Sequence, residues 1–99
     1  MPPRDTEAAQ AHDVFKALGS QPRIRIVRAL RDRALCVGAL AARLEMTESA
    51  VSQHLRVLRT AGLVVSDKRA NFVHYALSPQ AGWRCEAAMR EVLGEPDRE

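Results

Sequence analysis

A mainly α-helical fold with one small β-hairpin is the expectation for this 99-residue chain. Three features lead to it: five stretches with apolar residues at helical spacing, capping or stopping residues at their ends, and two β-rich runs separated by a polar tip. With 46% hydrophobic residues, residues 1–99 are expected to form one domain around one core. A domain of this size buries only about 60–70% of its unfolded surface, so a second subunit would add useful burial.

The first helix is expected over residues 6–18, with Ala8, Ala11, Phe15 and Leu18 on its apolar stripe and Gly19 as its stop. Ser20 can cap a second helix, Pro22 fits its first turn where a missing N–H costs little, and Ile24, Val27 and Leu30 form the inward stripe. Arg23, Arg25, Arg28 and Arg31 fall mostly off that stripe. A shorter third helix carries Val37, Leu40, Ala41 and Leu44 and ends near Glu45 and Met46. Thr47 then caps a fourth, with Val51, Leu55 and Leu58 inward and Gly62 closing it.

Residues 63–66 and 72–77 read as the hairpin, the second run alternating through Val73, Tyr75 and Leu77. Ser78 and Pro79 start a last helix, with Gly82, Cys85, Met89 and Val92 on one face and Trp83 and Ala87 on an adjacent one. Two apolar faces require two neighbours. The first and last helices are therefore expected to pack together and to supply a subunit interface. Beyond Gly94, the residues Glu95, Pro96, Asp97 and Glu99 read as a solvated tail.

Charge and composition narrow the function. From Lys16 to His74 there are eleven Lys and Arg against Asp32, Glu45, Glu48 and Asp67, and thirteen of the fifteen cations in the chain are Arg. Arginine's rigid fork suits phosphates and guanine edges. Four aromatic residues are too few for a module that stacks single-stranded bases on rings, which leaves duplex DNA as the expected nucleic acid. No stretch approaches membrane-spanning length and the opening residues do not resemble a signal peptide, so a cytoplasmic protein without a membrane partner is expected. Paired carboxylates, a phosphate loop and a nucleophile with a positioned base are not discernible, so an enzyme is not expected.

On the fourth helix Ser49, Ser52, Gln53, Arg56 and Thr60 fall at i, i+3, i+4, i+7 and i+11, placing short hydroxyls, an amide and a guanidinium on one outward stripe. A solvated helix face would also look polar. The order of elements decides between the two: third helix, short turn and fourth helix make a helix-turn-helix, whose second helix enters the major groove. Ser49, Ser52 and Gln53 can then reach bases, with His54 beside Gln53 helping with DNA, while Arg56 and Thr60 lie further along for phosphates; Thr47 and Arg59 are expected at the same DNA-facing site. The hairpin becomes a wing, whose Lys68, Arg69 and Asn71 face the minor groove or flanking phosphates. Charges there could instead only guard an edge strand against aggregation.

Linked motifs make the resemblance specific. Phe15-Lys16-Ala17-Leu18-Gly19-Ser20-Gln21-Pro22-Arg23, Leu35-Cys36-Val37-Gly38-Ala39-Leu40, Ser49-Ala50-Val51-Ser52-Gln53-His54-Leu55, Leu58-Arg59-Thr60-Ala61-Gly62-Leu63-Val64 and Val73-His74-Tyr75-Ala76-Leu77 together resemble the ArsR/SmtB family of metal- and stress-responsive repressors. The likeness spans roughly residues 10–80. It implies a winged helix-turn-helix of five helices and a two-stranded wing, with a DNA-binding core at about 20–78. It also implies a homodimer through helices at about 5–18 and 79–93, bound to an imperfect inverted repeat in operator DNA and released by an effector. A constitutive regulator of the same fold and a winged-helix protein-protein module are the alternatives.

The effector is where the chain departs from the family pattern. Arsenite-sensing members carry Cys-Val-Cys at the third helix, whereas Cys36-Val37-Gly38 keeps only the first thiol. Soft metalloid capture needs two or three thiolates, so a metalloid or metal ion would require Cys36 and Cys85 together. Zinc-sensing members use carboxylates and His on the last helix, and no His lies within residues 83–93. Cys36 near a helix N-terminus is suited to a reactive thiol, and either cysteine could equally be a small packing residue. His12, His54 and His74 are scattered over three elements, with His74 read as a strand residue, and no shared metal site is expected of them.

Overall fold

In a computed structural model that describes residues 10–95, five helices surround a small sheet. In chain order they are α1 (Ala11–Leu18), α2 (Gln21–Ala29), β1 (Leu35–Cys36), α3 (Val37–Leu44), α4 (Glu48–Thr60), β2 (Val64–Arg69), β3 (Phe72–Leu77) and α5 (Ala81–Leu93). Residues 6–9 of the expected first helix, and Pro96, Asp97 and Glu99 of the expected tail, lie outside the described residues. Among the described residues no helix is long and apolar enough to cross a membrane.

Local chemistry sets most boundaries. Ser20 Oγ accepts from Arg23 N–H at 3.4 Å and Pro22 occupies the first turn of α2. Glu45, in the left-handed region at φ 56°, ends α3, and the N–H groups of Glu45 and Met46 both donate to Ala41 O. Thr47 Oγ1 accepts from Ala50 N–H at 3.1 Å and starts α4. Gly62 (φ 77°) closes that helix: its N–H donates to Arg59 O at 2.9 Å and Leu63 N–H donates to Leu58 O at 3.0 Å, with Leu58 and Leu63 both buried. This is the paired Schellman pattern, which needs a left-handed residue at the position of Gly62. The last helix begins two residues later than expected, at Ala81, after Ser78 Oγ has accepted from Gln80 N–H.

The main core is built from α2, α3, α4 and the base of the sheet, with Ile26, Leu40, Val51, Leu55, Leu58 and Leu63 fully buried. A smaller cluster, Ala11, Val14 and Ala88, joins α1 to α5. Three of the expected stripes are rotated. On α1 the buried residues are Ala11, Val14 and Ala17, while Phe15 is 42% exposed. On α2 Ile26 takes the deepest position and Ile24 and Val27 are only half-buried. On α5 Ala88 is buried and Cys85 is half-buried, whereas Met89 and Val92 face outward. Short helices with apolar residues on more than one side leave several stripes open to sequence reasoning, and packing chooses among them.

The wing differs in strand number. It is the outer part of a three-stranded antiparallel sheet ordered β1-β3-β2, because Leu35 and Cys36 pair with Tyr75 and His74. A two-residue strand is too short to show an alternation, so only the fold reveals it. Strand β2 also runs to Arg69, so Lys68 and Arg69 belong to its end and the tip proper is Ala70 and Asn71. Ala70 sits at φ 56°, a strained setting for a residue with a Cβ.

Candidate nucleic-acid interface

Helices α3 and α4, joined by Glu45, Met46 and Thr47, form the helix-turn-helix, and the buried side of α4 (Val51, Leu55, Leu58) fixes which side is left outside. Ser49, Ser52, Gln53, Arg56 and Thr60 are all exposed and follow one another along that outer side. Thr47 is exposed too, but its hydroxyl is engaged as the cap of α4. Arg59 is exposed beside the stripe.

Between the C-terminal half of α4 and the wing lies an open groove of about 780 Å³. Ser52, Arg56, Arg59 and Thr60 line it from the helix, and Ser66 and Tyr75 from the sheet. Ser66 and Tyr75 are direct cross-strand partners and so share a sheet face. The sequence reading placed both in the hairpin but assigned neither to the DNA-facing site, although the hairpin register would have placed both beside the helix-facing Val64. At the wing's end Lys68, Arg69 and Asn71 are exposed, and Arg69 Nε donates to Asp67 Oδ2 at 3.0 Å. The other ion pairs among the described residues join Arg90 to Glu86 and Glu95. Arg56, Arg59 and Lys68 therefore present uncompensated positive charge on one side of the molecule, the side of the groove and wing.

His54 is placed differently from its neighbours on α4. It is half-buried, turned toward Arg23, whose Nη1 lies 3.2 Å from His54 Nδ1. Burial first, and the Arg23 charge second, hold this imidazole below its ordinary pKa of 6.5.

The two cysteines are both free and half-buried. Cys36 is the N-cap of α3, its Sγ accepting from Ala39 N–H at 3.4 Å. Cys85 lies on α5, packed against both apolar clusters, and burial followed by the nearby Glu86 pushes its thiol pKa up. In the sheet Cys36 pairs with His74 and His74 with Asp67, and His74 Nδ1 is buried with no hydrogen-bond partner. This row does not converge into a donor set: among the described residues no three of His, Cys, Asp and Glu are grouped to hold a metal ion.

Comparison with known proteins agrees with this architecture. Residues 20–66 match the family described as bacterial regulatory protein, arsR family. The chain is 43% identical over 74 residues to the transcriptional activator HlyU of Vibrio cholerae, covering 75% of this chain and 68% of the relative. It is 36% identical over 84 residues to the arsenical resistance operon repressor of Escherichia coli, covering 74% and 72%. The solved structure of reduced HlyU from Vibrio cholerae superposes with a TM-score of 0.68 at 37% identity, over 89% of this chain and 93% of that one. The helix-turn-helix and wing described above thus recur in relatives close enough in sequence to share ancestry, and the chain belongs to the arsR family of bacterial regulatory proteins, a regulator and not an enzyme.

Proposed function

We propose that this protein is a homodimeric, cytoplasmic transcriptional repressor that binds an imperfect inverted repeat in double-stranded DNA. The observation that carries the reading is the outward stripe of α4, exposed along its whole length beside a groove lined by Arg56 and Arg59 and a wing that bears Lys68, three cations without an ion-pair partner among the described residues. Gln53 is the base reader, able to pair bidentately with adenine, with Ser49 and Ser52 alongside. Arg56, Arg59, Lys68 and Arg69 bind phosphates, and Thr47 orders the N-terminus of the helix that carries the readers. The DNA-binding core spans about 20–78.

The dimer forms through α1 and α5. Trp83 is 62% exposed and Leu93 77% exposed, and Phe15, Met89 and Val92 are also open to solvent. Such a concentration of large apolar side chains on two adjacent helices is the signature of a covered surface, and a second copy related by a two-fold axis covers it on both sides at once. It would also place two copies of α4 to meet successive major grooves.

Release from DNA is assigned to a thiol-directed signal at Cys36, because this sulfur caps the helix that leads into the recognition turn. Any change at Sγ disturbs that cap. Cys85 is a packing residue in this reading, in keeping with its contacts and raised pKa.

The test is selection of duplexes from a random-sequence library with the purified full chain, followed by binding titrations across salt. An enriched inverted repeat, with affinity falling steeply as salt rises, is expected. Binding that shows no preference for any sequence would overturn the proposal. For the effector, Cys36→Ser should abolish release of the selected operator by peroxide or arsenite, and unchanged release removes the thiol from the mechanism.

A further inference from the structure

Arg23 touches three helices at once. It lies in the first turn of α2, yet its side chain runs back toward α1 instead of out to solvent. Nε donates to Ala17 O at 2.8 Å and Nη2 donates to Lys16 O at 3.0 Å, so one guanidinium occupies two carbonyls of the last turn of α1. The remaining arm, Nη1, reaches His54 Nδ1 on α4.

That third contact has a chemical requirement. A guanidinium is donor-only, so Nδ1 must be the acceptor, which demands a neutral imidazole carrying its proton on Nε2. An imidazolium has no free lone pair and would meet Arg23 as a like charge. The environment favours the neutral ring: the residues one turn away on α4 are Ala50, Val51, Val57 and Leu58, and burial opposes its charging.

We propose that Arg23 is a positioning residue for DNA recognition, bracing α4 against the C-terminal end of α1 through the Nε2–H tautomer of His54. The inference rests on the readings of α4 as the DNA-contacting helix and α1 as part of the subunit interface. Its physical basis is that a two-fold dimer must present two recognition helices to the groove at a fixed separation, so any tilt of α4 relative to the interface helix is repeated in both subunits. His54 directly follows the base reader Gln53 in sequence, so displacing one moves the other. His54 in this account acts on DNA through Gln53's placement and not by its own contact.

The test uses the full chain and an operator selected from a random duplex library by the unmodified protein. Variants Arg23→Met and His54→Leu should each weaken operator binding about tenfold, the scale of one lost charge-assisted hydrogen bond. Adding His54→Leu to Arg23→Met should cost nothing further, and His54→Asn, whose Oδ1 can replace Nδ1 as acceptor, should bind within about twofold of the parent. Long-range proton–nitrogen NMR of the DNA-free protein should show His54 protonated on Nε2, with the tautomers mixed in Arg23→Met. Losses that add in the double variant, a His54→Asn as weak as His54→Leu, or an Nδ1-protonated ring in the parent would each overturn the brace. If Arg23→Met melts too low to assay, Arg23→Lys takes its place: an ammonium donates from a single nitrogen and cannot reach three acceptors that Nε, Nη1 and Nη2 meet separately, and parental binding by that variant counts against the proposal. Failure to select any operator rejects the DNA reading, whereas the NMR result judges the brace without DNA.

Discussion

Individual side chains of α4 divide by where they point. Gln53 and Arg56 are both exposed, but they are expected to fail differently when removed. Gln53→Ala should lower affinity for the selected operator about tenfold while leaving random-duplex binding almost unchanged, because a bidentate base contact contributes about 1–3 kcal/mol of discrimination. Arg56→Ala should weaken both duplexes alike and reduce the slope of log affinity against log salt by about one, the mark of a lost phosphate contact. Titrations against both duplexes at several salt concentrations separate the two. His54 yields a pH prediction. Its folded pKa lies below its ordinary 6.5, so the unfolded chain takes up the proton first as pH falls. Stability linked to this group is therefore complete above pH 6.5 and declines below it. Melting temperatures measured from neutral to mildly acidic pH should fall more steeply for the parent than for His54→Asn, and parallel curves would contradict the assignment.

Helix ends in this fold are held by long-range arginine contacts as well as by local caps. Arg23 occupies the end of α1, and Arg25 Nη2 donates to Leu44 O at 3.0 Å and does the same for α3. Cations at helix C-termini also complement the helix dipole. Two of the arginines that look like a simple basic face in the sequence therefore have structural partners. The end of α4 is the most constrained, since a Cβ on Gly62 would lie 2.7 Å from Arg84 Nε and the residue has φ 77°. Gly62→Ala should lower stability by more than ~1 kcal/mol, the usual penalty for a left-handed alanine, with the clash added. Thermal or urea unfolding checks it, and a neutral result would mean that Arg84 swings away without loss. The Thr47 cap is the milder comparison: Thr47→Ala should cost about 1 kcal/mol in the same assay.

The molecule as a whole is elongated, 48 × 31 × 21 Å; among the described residues the large apolar side chains left exposed are Phe15 on α1, Trp83, Met89, Val92 and Leu93 on α5, and Val65, Phe72 and Val73 on the wing. Burying two large side chains such as Trp83 and Leu93 against a second copy would contribute several kcal/mol at about 25 cal/mol per Å². Charge at that surface should prevent association: Leu93→Glu combined with Trp83→Glu should sediment as a monomer and lose operator binding, while remaining folded by circular dichroism. A double variant that stays dimeric would place the interface elsewhere.

Much of this architecture is written in local chemistry. Ser20, Thr47 and Gly62 mark helix boundaries because caps and stops act over three or four residues, and the α4 stripe is visible because helical periodicity alone decides which residues share a side. Long-range packing settled the rest. Val14 displaced Phe15 from the inner face of α1, and Ile26 took the central place on α2, since neighbouring helices choose among several apolar sides. The pairing of Leu35 and Cys36 with β3 has no periodic signal of its own. Arg23 reaching His54 joins residues 31 positions apart, a contact that no spacing rule contains, because a long side chain finds its partner only after the helices have met.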